Sequence, residues 1–209
     1  MKLFGSPPPG AYACLININF PPSSSSLTKF LFIIFISLTS SIKADLNNDL
    51  INNLNDGQKL IFIRHAYAPG GGDPENFNLD DCSTQRNLSK DGIIQAKKIG
   101  NFFKDNKIIF DEVLSSEWCR CKDTAKIAFG NFSTNSFLNS FFSPKFVKNK
   151  NKQIKDLKRY VELSKTQNNI VLITHYVLIS EVLDYAPASG EIVISDKKFN
   201  IIGTVKINY

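Results

Sequence analysis

Apolar positions along the chain follow two alternating patterns. "KLIFIR" (59–64) and "NIVLIT" (169–174) are short, rich in β-branched residues and nearly apolar throughout, as expected of strands covered on both faces. "FDEVLSS" (110–116) reads as another strand. Between them, apolar residues recur at helical spacing. Ser89 is a good N-cap for "KDGIIQAKKIGNFFKDN", where Ile93, Ala96, Gly100 and Phe103 share a face with Ile99 and Phe102 beside it. "EWCRCKDTAKIAFG" predicts a helix closing at Gly130. "NSFLNSFF" fits a short strand or a loop. "KQIKDLKRYVELSK" predicts a helix with Ile154, Leu157, Val161 and Leu163 on its apolar side, and "VLISEVLD" a short one. "EIVIS" and "NIIGTVKIN", on either side of "DKKF", predict an antiparallel hairpin at a sheet edge. The order of elements implies an α/β protein, a three-layer α/β/α sandwich with a mostly parallel sheet.

The first 44 residues do not share these patterns. They hold Lys2, Lys29 and Lys43 and no acidic residue, and their Pro- and Ser-rich runs cannot build a core. Lys29, the apolar stretch 30–42 and Ala44 follow the basic–apolar–small order of a secretory signal. The expectation is a presequence over 1–44, cleaved near Ala44, and a secreted or periplasmic domain over 45–209. The stretch of about 13 apolar residues falls short of the roughly 20 a spanning helix needs. The alternative is a membrane anchor formed by the uncleaved segment. A leader normally starts near its basic residue, which suggests translation from Leu27.

Without residues 1–44, 22 basic residues face 19 acidic ones, a net charge of +3 in place of +6. No basic stripe is interleaved with aromatics, so nucleic acid is not an expected partner. The lysines of "KFVKNKNKQIKDLKR" read as a solvated helix face. Export implies an oxidising compartment, in which Cys82 can pair with Cys119 or with Cys121 and leave the other free. The cysteine spacing fits no zinc pattern.

The chain has only two histidines. In parallel α/β sheets, sites form beyond the carboxyl ends of the strands. That rule gathers Arg64 and His65 from the end of 59–64, His175 from the end of 169–174, and Arg120 from just after 110–116. Arginine forks grip phosphoryl oxygens in two-point fashion and follow their charge into the transition state. Flanking positive charge keeps an imidazole unprotonated, and a backbone carbonyl on one ring nitrogen leaves the other bare for attack. The second histidine can donate to a phosphoryl oxygen. A metal-dependent hydrolase would need carboxylates clustered with the histidines, and none form a recognisable set.

"RHAYAPG", "RNLSKDGIIQAKKIG", "VLSSEWCRCKDTA" and "VLITHYVLIS" resemble the successive motifs of the histidine phosphatase superfamily, the phosphoglycerate-mutase-like proteins, in order and spacing. The resemblance spans nearly all of 59–195. It implies His65 as the phosphorylated nucleophile, with Arg64, Arg120 and His175 completing a phosphate pocket, and no metal or other cofactor. Arg86 adds positive charge nearby. Many members carry an acidic proton donor where this chain has Asn139 and Ser140. Glu191, Glu117 and Asp73 are the candidate substitutes, with Glu75 and Asp81 also near. The function expected is hydrolysis of a phosphomonoester or phosphoramidate on a small phosphorylated substrate, such as an envelope phosphosugar, or on a phosphoprotein. The small size leaves little for a mutase cap. The alternative from another class is a non-catalytic module binding phosphorylated ligands.

Overall fold

The computed structural model describes residues 48–209; the leader expected over 1–44 lies outside them. Six strands form one sheet: β1 (Leu60–Arg64), β2 (Phe110–Ser115), β3 (Ser133–Thr134), β4 (Asn169–Thr174), β5 (Ile192–Ser195) and β6 (Ile201–Val205). Their order is β3-β2-β4-β1-β5-β6. β1, β2, β3 and β4 run parallel, and β5 and β6 close one edge as an antiparallel hairpin.

Alternation along the strands divides the core in two. Ile61, Ile63, Val171 and Ile173 face one side and pack on α2 (Lys90–Asp105) and α3 (Cys119–Phe129) through Ile99, Phe103, Cys121 and Ala125. Leu60, Phe62, Ile170 and Leu172 face the other, against α4 (Lys150–Leu163) and α5 (Tyr176–Leu183) through Leu157, Val161, Leu178 and Ile179. Both faces are covered, which is why β1 and β4 are apolar through 60–63 and 170–173. The sandwich, the mostly parallel sheet and the edge hairpin are as the sequence implies.

Two helix faces differ from expectation. On α2, Ile93 and Ile94 are exposed, and Gly92, Gln95, Ala96, Ile99 and Phe103 are buried. A Cβ at Gly92 would lie 2.0 Å from the Tyr67 carbonyl oxygen, so only glycine lets the helix approach there. Gln95 accepts from the Tyr67 amide at 2.8 Å and donates to Ser189 and Ile207 carbonyls at 2.7 and 2.6 Å. These bonds turn a polar side chain inward and Ile93 out. On α4, Leu163 is exposed and Gln153 is buried instead, donating to the carbonyls of Ser136 and Asn139. The ambiguous "NSFLNSFF" contains a single 3₁₀ turn, Ser136–Leu138, whose Phe137 and Leu138 enter the core. A helix over residues 48–55, α1, was not expected; Leu54 anchors it in the core.

Cys82 bonds to Cys119, and Cys121 remains a buried free thiol. The bridge spans 37 residues of chain, a loop whose closure contributes about 4 kcal/mol in the chain-entropy account. It ties the start of α3 to the loop carrying Arg86. Gln85 adds a second tie: its Oε1 accepts from the Cys119 amide at 2.9 Å, capping a helix whose N-cap residue, Trp118, offers no side-chain acceptor.

Candidate active site

Because β1, β4 and β2 are adjacent and parallel, their carboxyl ends open on one place. His65 follows β1 and donates its amide to the Thr174 carbonyl at 2.9 Å. His175 follows β4 and caps α5. Arg120 stands in the first turn of α3. His65, His175 and Arg120 are 2, 2 and 3% exposed. With Arg64, Arg86, Asp73 and Trp118 they line a cavity of about 300 Å³, whose mouth carries Phe142, Lys145 and Tyr176. The histidine rings meet edge to face, 5.5 Å between centres.

Nδ1 of His65 lies 2.8 Å from the Ala66 carbonyl oxygen. A carbonyl can only accept, so the ring proton sits on Nδ1 and Nε2 keeps its lone pair. Arg120 Nε donates to that nitrogen at 3.2 Å. Thr124 couples the two residues: its Oγ1 accepts from the Ala66 amide at 3.0 Å and donates to the Arg120 carbonyl at 2.7 Å. Burial and the charges of Arg120, Arg64 and Arg86 hold the His65 pKa well below its ordinary 6.5. Burial first, then Arg120, lowers that of His175. Its Nε2 is 2.9 Å from Ser116 Oγ and 3.5 Å from Cys121 Sγ. Burial pushes the Cys121 thiol up to about 12, so it stays protonated.

Arg64 donates to the Pro187 carbonyl at 2.9 Å and lies over the Tyr176 ring, 5.4 Å from its centre. Its buried Nε has no partner among the described residues. Arg86 fastens the glycine loop, donating to the carbonyls of Ala68 and Gly72.

Of the carboxylates expected as proton donors, all but Glu75 stand apart from this set or are fully engaged. Glu191 is 1% exposed and committed to its own turn, accepting from Tyr185 Oη at 2.6 Å and the Ala188 amide at 2.7 Å; it lines a separate cavity beside Tyr67 and Gln95. Glu117 accepts from Asn139 Nδ2 at 2.5 Å and is absent from the cavity lining. Asp81 is exposed and caps the turn at Cys82. Asp73 does lie in the cavity, where it is gripped by Arg120 at 2.7 and 3.2 Å and by Trp118 Nε1 at 3.1 Å. Burial opposes its ionisation, but the bonds from Arg120 prevail and keep its pKa below the usual carboxylate value. In this arrangement it holds no proton to give. Glu75 also lines the cavity. Sequence reasoning missed Trp118, Ser116 and Thr124, and no pattern around them signals their contacts.

No family model matches the sequence, and no curated protein does. Solved structures do match. TTHB049 from Thermus thermophilus has a TM-score of 0.52 at 15% identity, over 72% of this chain and 99% of its own. Rv3214 from Mycobacterium tuberculosis also scores 0.52, at 13% identity over 72 and 97%. The candidate phosphohistidine phosphatase SixA from Agrobacterium tumefaciens scores 0.50, at 16% identity over 72 and 99%. The chain shares the fold of these structures. At these identities the likeness is one of architecture, and the chemistry rests on the residues themselves. Among the described residues no group of three or more His, Cys, Asp or Glu is arranged to hold a metal ion, and no helix is long and apolar enough to cross a membrane.

Two neutral buried histidines couple stability to pH. Both protonate more readily in the unfolded chain than in the folded one, so stability is greatest above pH 6.5 and falls as pH drops toward their lowered folded values. Each adds a slope of up to about 1.4 kcal/mol per pH unit in that window. Denaturant melts between pH 7.5 and 5 are expected to show this loss, and His175→Gln to reduce it by about half. A flat profile in wild type contradicts the neutral, buried assignment.

Proposed function

We propose that this protein hydrolyses phosphomonoesters or phosphoramidates through a phosphohistidine on Nε2 of His65. The observation that carries this reading is the state of that ring. Its proton is fixed on Nδ1 by the Ala66 carbonyl, and its lone pair stands beside three arginines in one cavity. In the first step Nε2 attacks phosphorus. The new P–N bond forms as the bond to the leaving group breaks, and the departing atom takes the electron pair and then a proton from solvent water. Water then attacks phosphorus and gives a proton back to solvent, the P–N bond returns its pair to Nε2, and phosphate is released. Arg64 and Arg120 hold the non-bridging oxygens, and Arg86 adds charge. His175 lines the same cavity, and its Nδ1 can donate to a phosphoryl oxygen when Ser116 turns its hydroxyl proton from Asn139 Oδ1 to His175 Nε2.

Glu191 and Glu117 point elsewhere, Asp73 is ionised, and Glu75 lines the cavity without a hydrogen bond to His65 or to an arginine of the site. The reading therefore favours substrates whose leaving group needs little acid help, such as phosphohistidine, other phosphoramidates or acyl phosphates. Phe142 and Tyr176, 6.0 Å apart at the mouth, and Lys145 suit a ring-bearing leaving group, whether on a phosphorylated sugar or a phosphoprotein. We also propose that the protein is exported, to the periplasm or beyond. The Cys82–Cys119 bond supports an oxidising compartment.

The test is brief exposure to a labelled phosphoramidate, denaturation, and peptide mapping. Acid-labile, base-stable phosphate on His65 is the expected result. Turnover with label on no residue, or on another one, overturns the mechanism.

A further inference from the structure

The cavity already holds an anion of its own. Asp73 Oδ1 accepts from Arg120 Nη1 at 2.7 Å and from the Arg86 amide at 3.1 Å. Its Oδ2 accepts from Arg120 Nη2 at 3.2 Å and from Trp118 Nε1 at 3.1 Å. Arg120 also donates to the Arg86 carbonyl at 3.3 Å and, through Nε, to His65 Nε2 at 3.2 Å. Four of the five guanidinium hydrogens thus have acceptors within the protein. The Nη1/Nη2 edge held by the carboxylate is one with which arginine can grip a phosphoryl group in two-point fashion. The nitrogen proposed to attack phosphorus is covered by the third side of the same guanidinium.

We infer that Asp73 is an intramolecular stand-in for the substrate's phosphoryl group, a positioning residue that holds Arg120 across the His65 lone pair until a phosphoryl dianion displaces it. The inference rests on the hydrolase reading above for the identity of the displacing group. The segment before Asp73 suits such an exchange. Gly70, Gly71 and Gly72 precede it, two of them at positive φ, and a Cβ built on Gly71 or Gly72 meets nothing within 4 Å. A dianion outbids a carboxylate for Arg120 on charge, and Arg64 and Arg86 line the same cavity. After hydrolysis the carboxylate competes with the product for Arg120 and hastens its release. Apparent affinity for any phosphoryl ligand is lowered by the fraction of time Asp73 holds the arginine.

The experiment measures binding and turnover separately on Asp73→Asn, Asp73→Ala and wild type. Calorimetry gives Kd for inorganic phosphate; steady-state kinetics give KM and kcat for an aryl phosphate. Both Kd and KM are expected to fall by a common factor, about tenfold or more. Glu75→Gln removes a charge from the same cavity without touching Arg120, and an equal tightening there overturns the inference. So does an unchanged or weaker phosphate Kd in both Asp73 variants. A kcat lost with phosphate Kd unchanged assigns Asp73 as a proton donor instead. Tighter phosphate binding in variants of a protein that turns nothing over upholds the role of Asp73 and overturns the hydrolase.

Discussion

His65→Ala is expected to lower kcat/KM for an aryl phosphate by about 10⁴-fold or more and to abolish the acid-labile phosphoprotein. Each decade corresponds to about 1.36 kcal/mol of barrier, so the loss is at least about 5 kcal/mol. The size follows from the role proposed for the ring. A nucleophile splits one difficult displacement into two, and its removal leaves only binding and charge stabilisation behind. The arginines remain, so KM is expected to change far less than kcat. The ring is buried, its Nδ1 bond is to the adjacent Ala66 carbonyl, and its loss frees only Arg120 Nε, while Nη1 and Nη2 keep Arg120 bound to Asp73 and the Arg86 carbonyl. The space it leaves can admit free imidazole, which is expected to restore part of the turnover at millimolar concentration. A variant within about tenfold of wild type would remove His65 from the chemistry.

The parts of this arrangement legible in the sequence are those set by periodicity and topology. Strands β1 and β4 carry unbroken apolar runs, 60–63 and 170–173, so their ends, and with them Arg64, His65 and His175, fall on one edge by periodicity and strand order alone. Arg120 followed from the short link between β2 and α3. What was not legible depends on how a polar side chain is used. Gln95 and Gln153 read as solvent-facing, yet each closes bonds to carbonyls from distant segments, and that settles which face of α2 and α4 is buried. The 48–55 helix has Leu50, Ile51 and Leu54 at helical spacing, a signal hidden among asparagines of low helix propensity.

The carboxylates show the same limit more sharply. Glu191 lies near the site along the chain, but its oxygens are taken by Tyr185 and Ala188, because a buried charge must be satisfied wherever it falls. Glu117 precedes Arg120 by three residues and instead orients Asn139, whose Oδ1 accepts from Ser116. Asp73 is reached only because the glycine loop turns back over the cavity, and spacing does not reveal the return path of a loop. The pairing of Cys82 with Cys119 over Cys121 likewise depends on which helix face meets that loop; Cys121 points into the core and toward His175.

Arg120→Ala is expected to cost about 3 kcal/mol of transition-state stabilisation, on the order of 10² to 10³ in kcat/KM. Lysine at this position is expected to recover little, because a single ammonium cannot reproduce the two-point grip of Nη1 and Nη2 while also reaching His65. The same substitution strands Asp73, whose side chain is only 16% exposed, beside Trp118 without its cation. Stability is therefore expected to fall as well, by about 2–3 kcal/mol, less than for a fully buried broken pair. The two losses come from different partners and can be separated. Adding Asp73→Asn to Arg120→Ala removes the stranded charge, so the melting temperature is expected to return most of the way to that of Asp73→Asn alone. Activity is not expected to return, since no group replaces the phosphoryl clamp. The coupling energy between the two positions is then large for stability, small for kcat, and about tenfold in kcat/KM, since the KM gain of Asp73→Asn needs Arg120. Recovery of turnover along with stability would mean that Arg120 acts only by holding the loop, and that the phosphoryl oxygens are gripped by Arg64 and Arg86 alone.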